Sequence, residues 1–209
     1  MIPASDALER LRAGNARFVS GVRSVDTLVS QMRRRAFVGG QAPIAVVLGC
    51  SDSRVPVEIV FDQGLGDLFV IRVAGNIVAP SQIGSVEFAA ERFGTRLVVV
   101  LGHTGCGAVQ AALDELQQPT DRQSRNLRAI VDRIRPAVAS LLATPLRDDR
   151  EALEREAVRA NVRVAASALR HGSEVVERLI ERAGLHVVGA EYCLDTGVVD
   201  FFDGVPPSG

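Results

Sequence analysis

Two short stretches of this chain carry residues able to do chemistry together. "GCSDSRVPVE", Gly49 to Glu58, holds Cys50, Asp52 and Arg54; "LGHTGCGAV", 101–109, holds His103 and Cys106. Two thiolates and one imidazole make a familiar zinc ligand set. With only three protein ligands the fourth tetrahedral position stays open to water, as in a catalytic rather than a structural zinc site. Cys106 stands where "TGCGAV" turns into a helix, so its thiolate would face free N–H groups and the positive end of the helix dipole. Asp52 and Arg54, two residues apart in a turn, are spaced to pair, because a guanidinium holds a carboxylate through two parallel hydrogen bonds. An Asp fixed in that way stays ionised. It would accept a hydrogen bond from a metal-bound water and turn a lone pair of the derived hydroxide toward an electrophile.

Each feature has a plainer reading on its own. A cysteine at a strand end is usually a small buried hydrophobe. Glycines around Cys106 make a tight turn, and a surface Asp–Arg pair is worth at most about 1 kcal/mol. The joint occurrence favours the site, provided the fold brings the two stretches together. His171, before Gly172, reads as a helix-end cation; His186 reads as the start of a strand. Cys193 is expected to lie buried and inert in an apolar strand.

The strands and helices around these residues show in the apolar pattern. "PIAVVLGC" (43–50), "DLFVIRV" (67–73), "RLVVVLGH" (96–103) and "LHVVGAEYC" (185–193) are near-continuous apolar runs, as strands of a parallel sheet covered on both faces require. "VVDFF" (198–202), after the turn Asp195-Thr196-Gly197, is expected to return antiparallel. Helical patterns cover 81–94, with Gly94 as the stop, the segment after Cys106, and much of 123–171. Alternating strands and helices give an α/β fold, mainly parallel with one C-terminal antiparallel strand and flanking helices. Ligands gather at the carboxyl ends of the strands in such sheets. Cys50 and His103 close the first and third strands there, and they converge if those strands are neighbours. An N-terminal helical arm, 1–40, precedes a core of 41–209 in a single domain of 1–209. Ala4, Leu8, Leu11 and Phe18 lie near one face of the arm, and Gly14 weakens the helix in its second half.

Composition removes other classes. The 209 residues carry a net charge of -1 with a pI of about 6.3, so no basic field exists for nucleic acid or acidic lipid. All 24 basic residues are Arg, which excludes Schiff-base lysine chemistry and a Walker-type phosphate lysine. Three cysteines do not make a disulfide framework and fit a reducing cytoplasm. The charged N-terminus lacks the apolar core of a signal peptide, and no run reaches transmembrane length.

"CSDSR" followed by "HTGCG" resembles the β-class carbonic anhydrases of bacteria. The similarity continues through "FDQGLGDLFVIRVAGN" and "GSVEFA", and more loosely in "GNARF" and the C-terminal strands. The resemblance implies one Zn2+ per chain on Cys50, His103 and Cys106, with Asp52 and Arg54 as a catalytic dyad. It implies reversible hydration of carbon dioxide to bicarbonate and a proton by metal-bound hydroxide. It also implies a homodimer or homotetramer whose N-terminal helices embrace the partner. Gln41 matches a pocket Gln of the family. Arg72 matches one residue of a regulatory bicarbonate site in some members, but Val47 stands where those members carry Trp. Three rivals remain at this stage. Carbon disulfide or carbonyl sulfide hydrolysis would use the same metal site. A phosphatase-type loop needs five residues between Cys and Arg, where Cys50 and Arg54 have three. A non-enzymatic zinc module would recruit Cys193 as a fourth ligand.

Overall fold

The computed structural model describes residues 2–25, 38–119 and 124–205. Five strands, β1 (Ala45–Gly49), β2 (Leu68–Arg72), β3 (Leu97–His103), β4 (His186–Tyr192) and β5 (Val199–Asp203), form one sheet in the order β2-β1-β3-β4-β5. The first four are mutually parallel and β5 runs antiparallel to β4. The first and third strands are therefore neighbours, the condition for the two sequence stretches to meet. Among the described residues seven α-helices flank the sheet: α1 (Ala4–Val19), α2 (Val57–Val60), α3 (Pro80–Arg92), α4 (Gly107–Gln117), α5 (Arg125–Val138), α6 (Arg150–His171) and α7 (Glu174–Ala183). No helix among the described residues is long and apolar enough to cross a membrane.

The apolar runs fold as strands because both sheet faces are covered. Ala45, Val47, Leu97, Val99, Leu101, Val188 and Ala190 alternate onto the face packed by α1 and α2. Val46, Leu48, Val98, Val100 and Val187 point the other way, against α3, α6 and α7. A third cluster joins α4, α5 and α6 around Cys50 and Cys106 at the carboxyl end of the sheet. Local signals set the helix ends. Ser124, Asp149 and Ser173 cap α5, α6 and α7 through their side chains. Gly94, just past α3, takes the left-handed conformation at φ 71°. His171 is the last residue of α6 and His186 the first of β4, as their sequence neighbours suggested.

The N-terminal arm departs from expectation in one respect. α1 runs unbroken through Gly14, whose missing side chain lets the helix backbone press on the Phe61 carbonyl; a Cβ there would stand 1.9 Å from that oxygen. Asn15, the next residue, is buried. Its amide donates to the Val60 and Gly197 carbonyls at 3.2 and 2.9 Å, and its oxygen accepts from the Val199 N–H at 2.9 Å. Arg17 meets the buried Asp62 at 2.6 Å. Ala4, Leu8 and Leu11 are buried on the chain's own sheet, whereas Phe18 is only half-buried, tilted against Tyr192. The apolar face of α1 is thus occupied by its own chain. Residues 26–37 of the expected arm lie outside the described residues.

Candidate active site

The turn after β1 and the turn after β3 meet because β1 and β3 pair in register, Gly49 opposite Leu101. Cys50, His103 and Cys106 are all buried, and one ligating atom of each lies within 4.8 Å of the others. His103 Nδ1 lies 2.9 Å from the Thr104 carbonyl, an acceptor only, so Nδ1 carries the proton and Nε2 presents a lone pair. Nε2 is buried with no hydrogen-bond partner, which is costly unless something else takes that lone pair. The two neighbouring thiols are shifted in opposite directions. Cys50 is pushed well below the ordinary thiol range, first by its hydrogen bond with Cys106, and with further help from the Gly75 N–H against the cost of burial. Cys106 is pushed up, first by the same contact and then by burial, although the Val109 and Ala108 N–H groups at the start of α4 favour its thiolate. A divalent cation among these three atoms would ionise both sulfurs and give Nε2 a partner. The donor set fits a zinc ion.

Asp52 and Arg54 pair as their spacing predicted. Arg54 Nε donates to Asp52 Oδ1 at 2.9 Å and Nη2 to Oδ2 at 2.7 Å, with the Arg54 backbone N–H adding a bond to Oδ1 at 3.0 Å. These bonds hold the Asp52 carboxyl below the usual carboxylate range, the Arg54 side chain contributing most. Oδ2 takes one of the three bonds, and it lies 3.8 Å from His103 Nε2. Arg54 also reaches the Gly105 carbonyl at 3.3 Å, tying the first stretch to the second.

Several supporting residues were not legible from motif spacing. Arg72, matched above only to a regulatory site, donates to the Cys50 and Asp52 carbonyls at 3.0 and 2.6 Å and so braces the turn that carries both side chains. Val47 is fully buried in the α1-side core. Thr104 accepts from the Leu194 N–H at 3.0 Å and donates its own N–H to the Tyr192 carbonyl, anchoring the second turn to the end of β4. Gln41 is exposed in the loop before β1.

Cys193 needs a correction. β4 ends at Tyr192, so Cys193 falls in the following turn, half-buried rather than buried in a strand. Its thiol is lowered, first by the Thr196 side chain and then by the Thr196 backbone. It stands apart from the Cys50–His103–Cys106 group, which removes the fourth-ligand alternative.

Comparison with known proteins agrees with the geometry. A family model described as carbonic anhydrase matches residues 45–199. Carbonic anhydrase 2 of Mycobacterium tuberculosis is 39% identical over 193 residues, covering 91% of this chain and 89% of the relative. Among solved structures, a β-carbonic anhydrase described as tetrameric, from Sordaria macrospora, superposes with a TM-score of 0.74 at 25% identity, covering 85% of this chain and 89% of that one. The Aspergillus fumigatus β-carbonic anhydrase CafA gives 0.72 at 26% identity, covering 97% of this chain and 92% of that one. With both sequence stretches inside the matched span and the parallel sheet reproduced, this chain belongs to the β-class carbonic anhydrases.

Proposed function

We propose that this chain hydrates carbon dioxide reversibly to bicarbonate and a proton, with Cys50, His103 and Cys106 holding one zinc ion and Asp52 and Arg54 orienting the nucleophile. The observation that carries the reading is a buried Cys-His-Cys group beside a carboxylate already committed to an arginine. Zinc, when bound, supplies a Lewis acid that makes water a nucleophile near neutral pH. Asp52 does the positioning. Arg54 keeps its carboxylate ionised and fixed, and Oδ2, on the His103 side, has capacity left to accept the water's hydrogen bond. That bond turns an oxygen lone pair toward the carbon of the substrate. Arg72 and Thr104 hold the two turns so that this geometry exists before substrate arrives.

We further propose that residues 1–209 act as one unit, that the protein is a homodimer or homotetramer, and that it works in the cytoplasm. A relative described as tetrameric supports the assembly, and three free cysteines fit a reducing compartment. Stopped-flow hydration of carbon dioxide, with carbon disulfide as the competing substrate, tests the function. Turnover of carbon dioxide should rise toward mildly alkaline pH, because two thiolates weaken the Lewis acidity of the metal. It should disappear on chelation, and in Cys50→Ala, His103→Ala and Cys106→Ala together with the zinc. Val47 in place of Trp leads to ordinary rather than cooperative inhibition by bicarbonate. A variant of any of the three that retains full zinc and turnover overturns that assignment.

A further inference from the structure

Asn161 sits in the middle of α6, 2% exposed, and its amide donates to the Gly75 carbonyl at 2.8 Å, across 86 residues of sequence. Gly75 is the centre of the single 3₁₀ turn Ala74–Asn76 that follows β2, at φ 68° and ψ 20°, a conformation that side chains disfavour. A Cβ on Gly75 would also stand 2.8 Å from Ile134 Cδ1 and 3.0 Å from Ala108 Cβ, so this turn is enclosed on the α4 and α5 side. The N–H of the same residue donates to Cys50 Sγ at 3.3 Å. Gly75 thus links a buried helix amide on one side to a sulfur of the candidate metal centre on the other.

We propose that Asn161 is a positioning residue for Cys50, acting through Gly75; the proposal rests on the reading of Cys50 as a metal ligand. Gly75 has the widest backbone freedom of any residue, so its φ and ψ alone do not hold the N–H on target. The Asn161 amide pins the carbonyl at the far end of the residue, and the left-handed turn then aims the N–H at the sulfur. A donor aimed at a thiolate takes up part of its charge and fixes the direction of the lone pair left for the metal. Partners of this kind set metal affinity although they never touch the ion. A purely structural amide would need only a satisfied carbonyl, whereas this one satisfies a carbonyl one residue-length from the sulfur.

The test uses the zinc-loaded protein and its cobalt(II)-substituted form. Asn161→Leu keeps the branched shape, with somewhat greater bulk, and removes the donor. Asn161→Asp keeps the shape without the N–H and carries the test if the leucine variant does not fold. Asn161→Gln restores an amide. Leu169→Ala, further along the same helix in the cluster packed against α3 and α7, serves as a destabilised control. Zinc affinity is read by chelator competition and the sulfur-to-cobalt charge-transfer band by absorption. We expect Asn161→Leu to weaken zinc binding roughly 10–100-fold and shift the band. Asn161→Gln should recover part of both, and Leu169→Ala should leave both in place. Wild-type affinity and band in a folded Asn161→Leu protein would overturn the proposal and leave Asn161 as a packing residue. Absence of a thiolate–cobalt band in the unmodified protein would instead overturn the metal-site reading itself.

Discussion

Replacing Gly14 by Ala sets two effects of opposite sign against each other. Inside an exposed helix the change favours folding by about 1 kcal/mol, because Gly has the larger backbone entropy to lose. In this fold the new Cβ would lie 1.9 Å from the Phe61 carbonyl oxygen, 2.8 Å from its carbon and 3.0 Å from Gln63 Nε2. The first two atoms are backbone and cannot swing aside, so α1 must back away by about an ångström. That movement strains the three hydrogen bonds of Asn15, each worth about 0.5–1.5 kcal/mol net, and loosens the packing of Leu8 and Leu11. Forcing an extra carbon into a filled contact costs about 1–3 kcal/mol by itself. Set against the propensity gain, the net effect is a loss of roughly 2–4 kcal/mol. At about 2–4 °C per kcal/mol for a chain of this size, Tm falls by roughly 4–16 °C. Thermal unfolding at equal zinc loading measures it, with Ala13→Gly at the adjacent exposed position as the propensity control. If Gly14→Ala matches or exceeds wild-type stability, the close contact of α1 with Phe61 is wrong.

Two further outcomes are expected. Arg54→Met removes the donors to Asp52 and Gly105 while keeping much of the stem; kcat/KM at pH 8 should fall roughly 10–100-fold with zinc content unchanged, through lost orientation. Because Arg54 is the main cause of the lowered Asp52 carboxyl, the acid limb due to that residue should move up toward the ordinary carboxylate range, and an unshifted profile with unchanged kcat/KM would exclude the dyad. Glu191 is the opposite case: burial raises its carboxyl, Asp200 and Glu156 add to the rise, and Arg159 opposes it. Its folded form therefore binds a proton more tightly than the unfolded chain, and stability falls as pH rises from the unfolded value through the folded one. Glu191→Gln lacks that loss, and Arg159 keeps its two bonds to Asp200. Its Tm should exceed wild type above pH 7 and lose the advantage near pH 4; equal deficits at both pH values would refute the assignment.

The strands and the candidate site were both legible in the sequence. Four β-branched apolar runs had no soluble solution except strands covered on both faces, and those runs became β1 to β4. The five candidate residues were legible because each group sits within a few residues of a strand end, where local spacing and chemistry suffice. That Arg54 also reaches Gly105, and that Cys50 and Cys106 come close enough to shift each other's thiols, followed only from β1 lying beside β3. Other residues had no local signal at all. Gly14 read as a weak point in a helix, because propensity sees the chain alone; the facing carbonyl of Phe61 makes it a requirement. Cys193 read as inert core, because a strand run does not announce its last residue; the turn to β5 leaves it half-buried beside Thr196. Arg72 matched one residue of a regulatory site that Val47 already put in doubt, and its bonds to two backbone carbonyls of the β1 turn had no signal in the sequence. Asn161 passed without notice in a polar-rich helix, 86 residues from the carbonyl it serves. Such residues meet their partners only when the chain closes, because a hydrogen bond or a clash depends on distance in space and leaves no period or motif along the sequence.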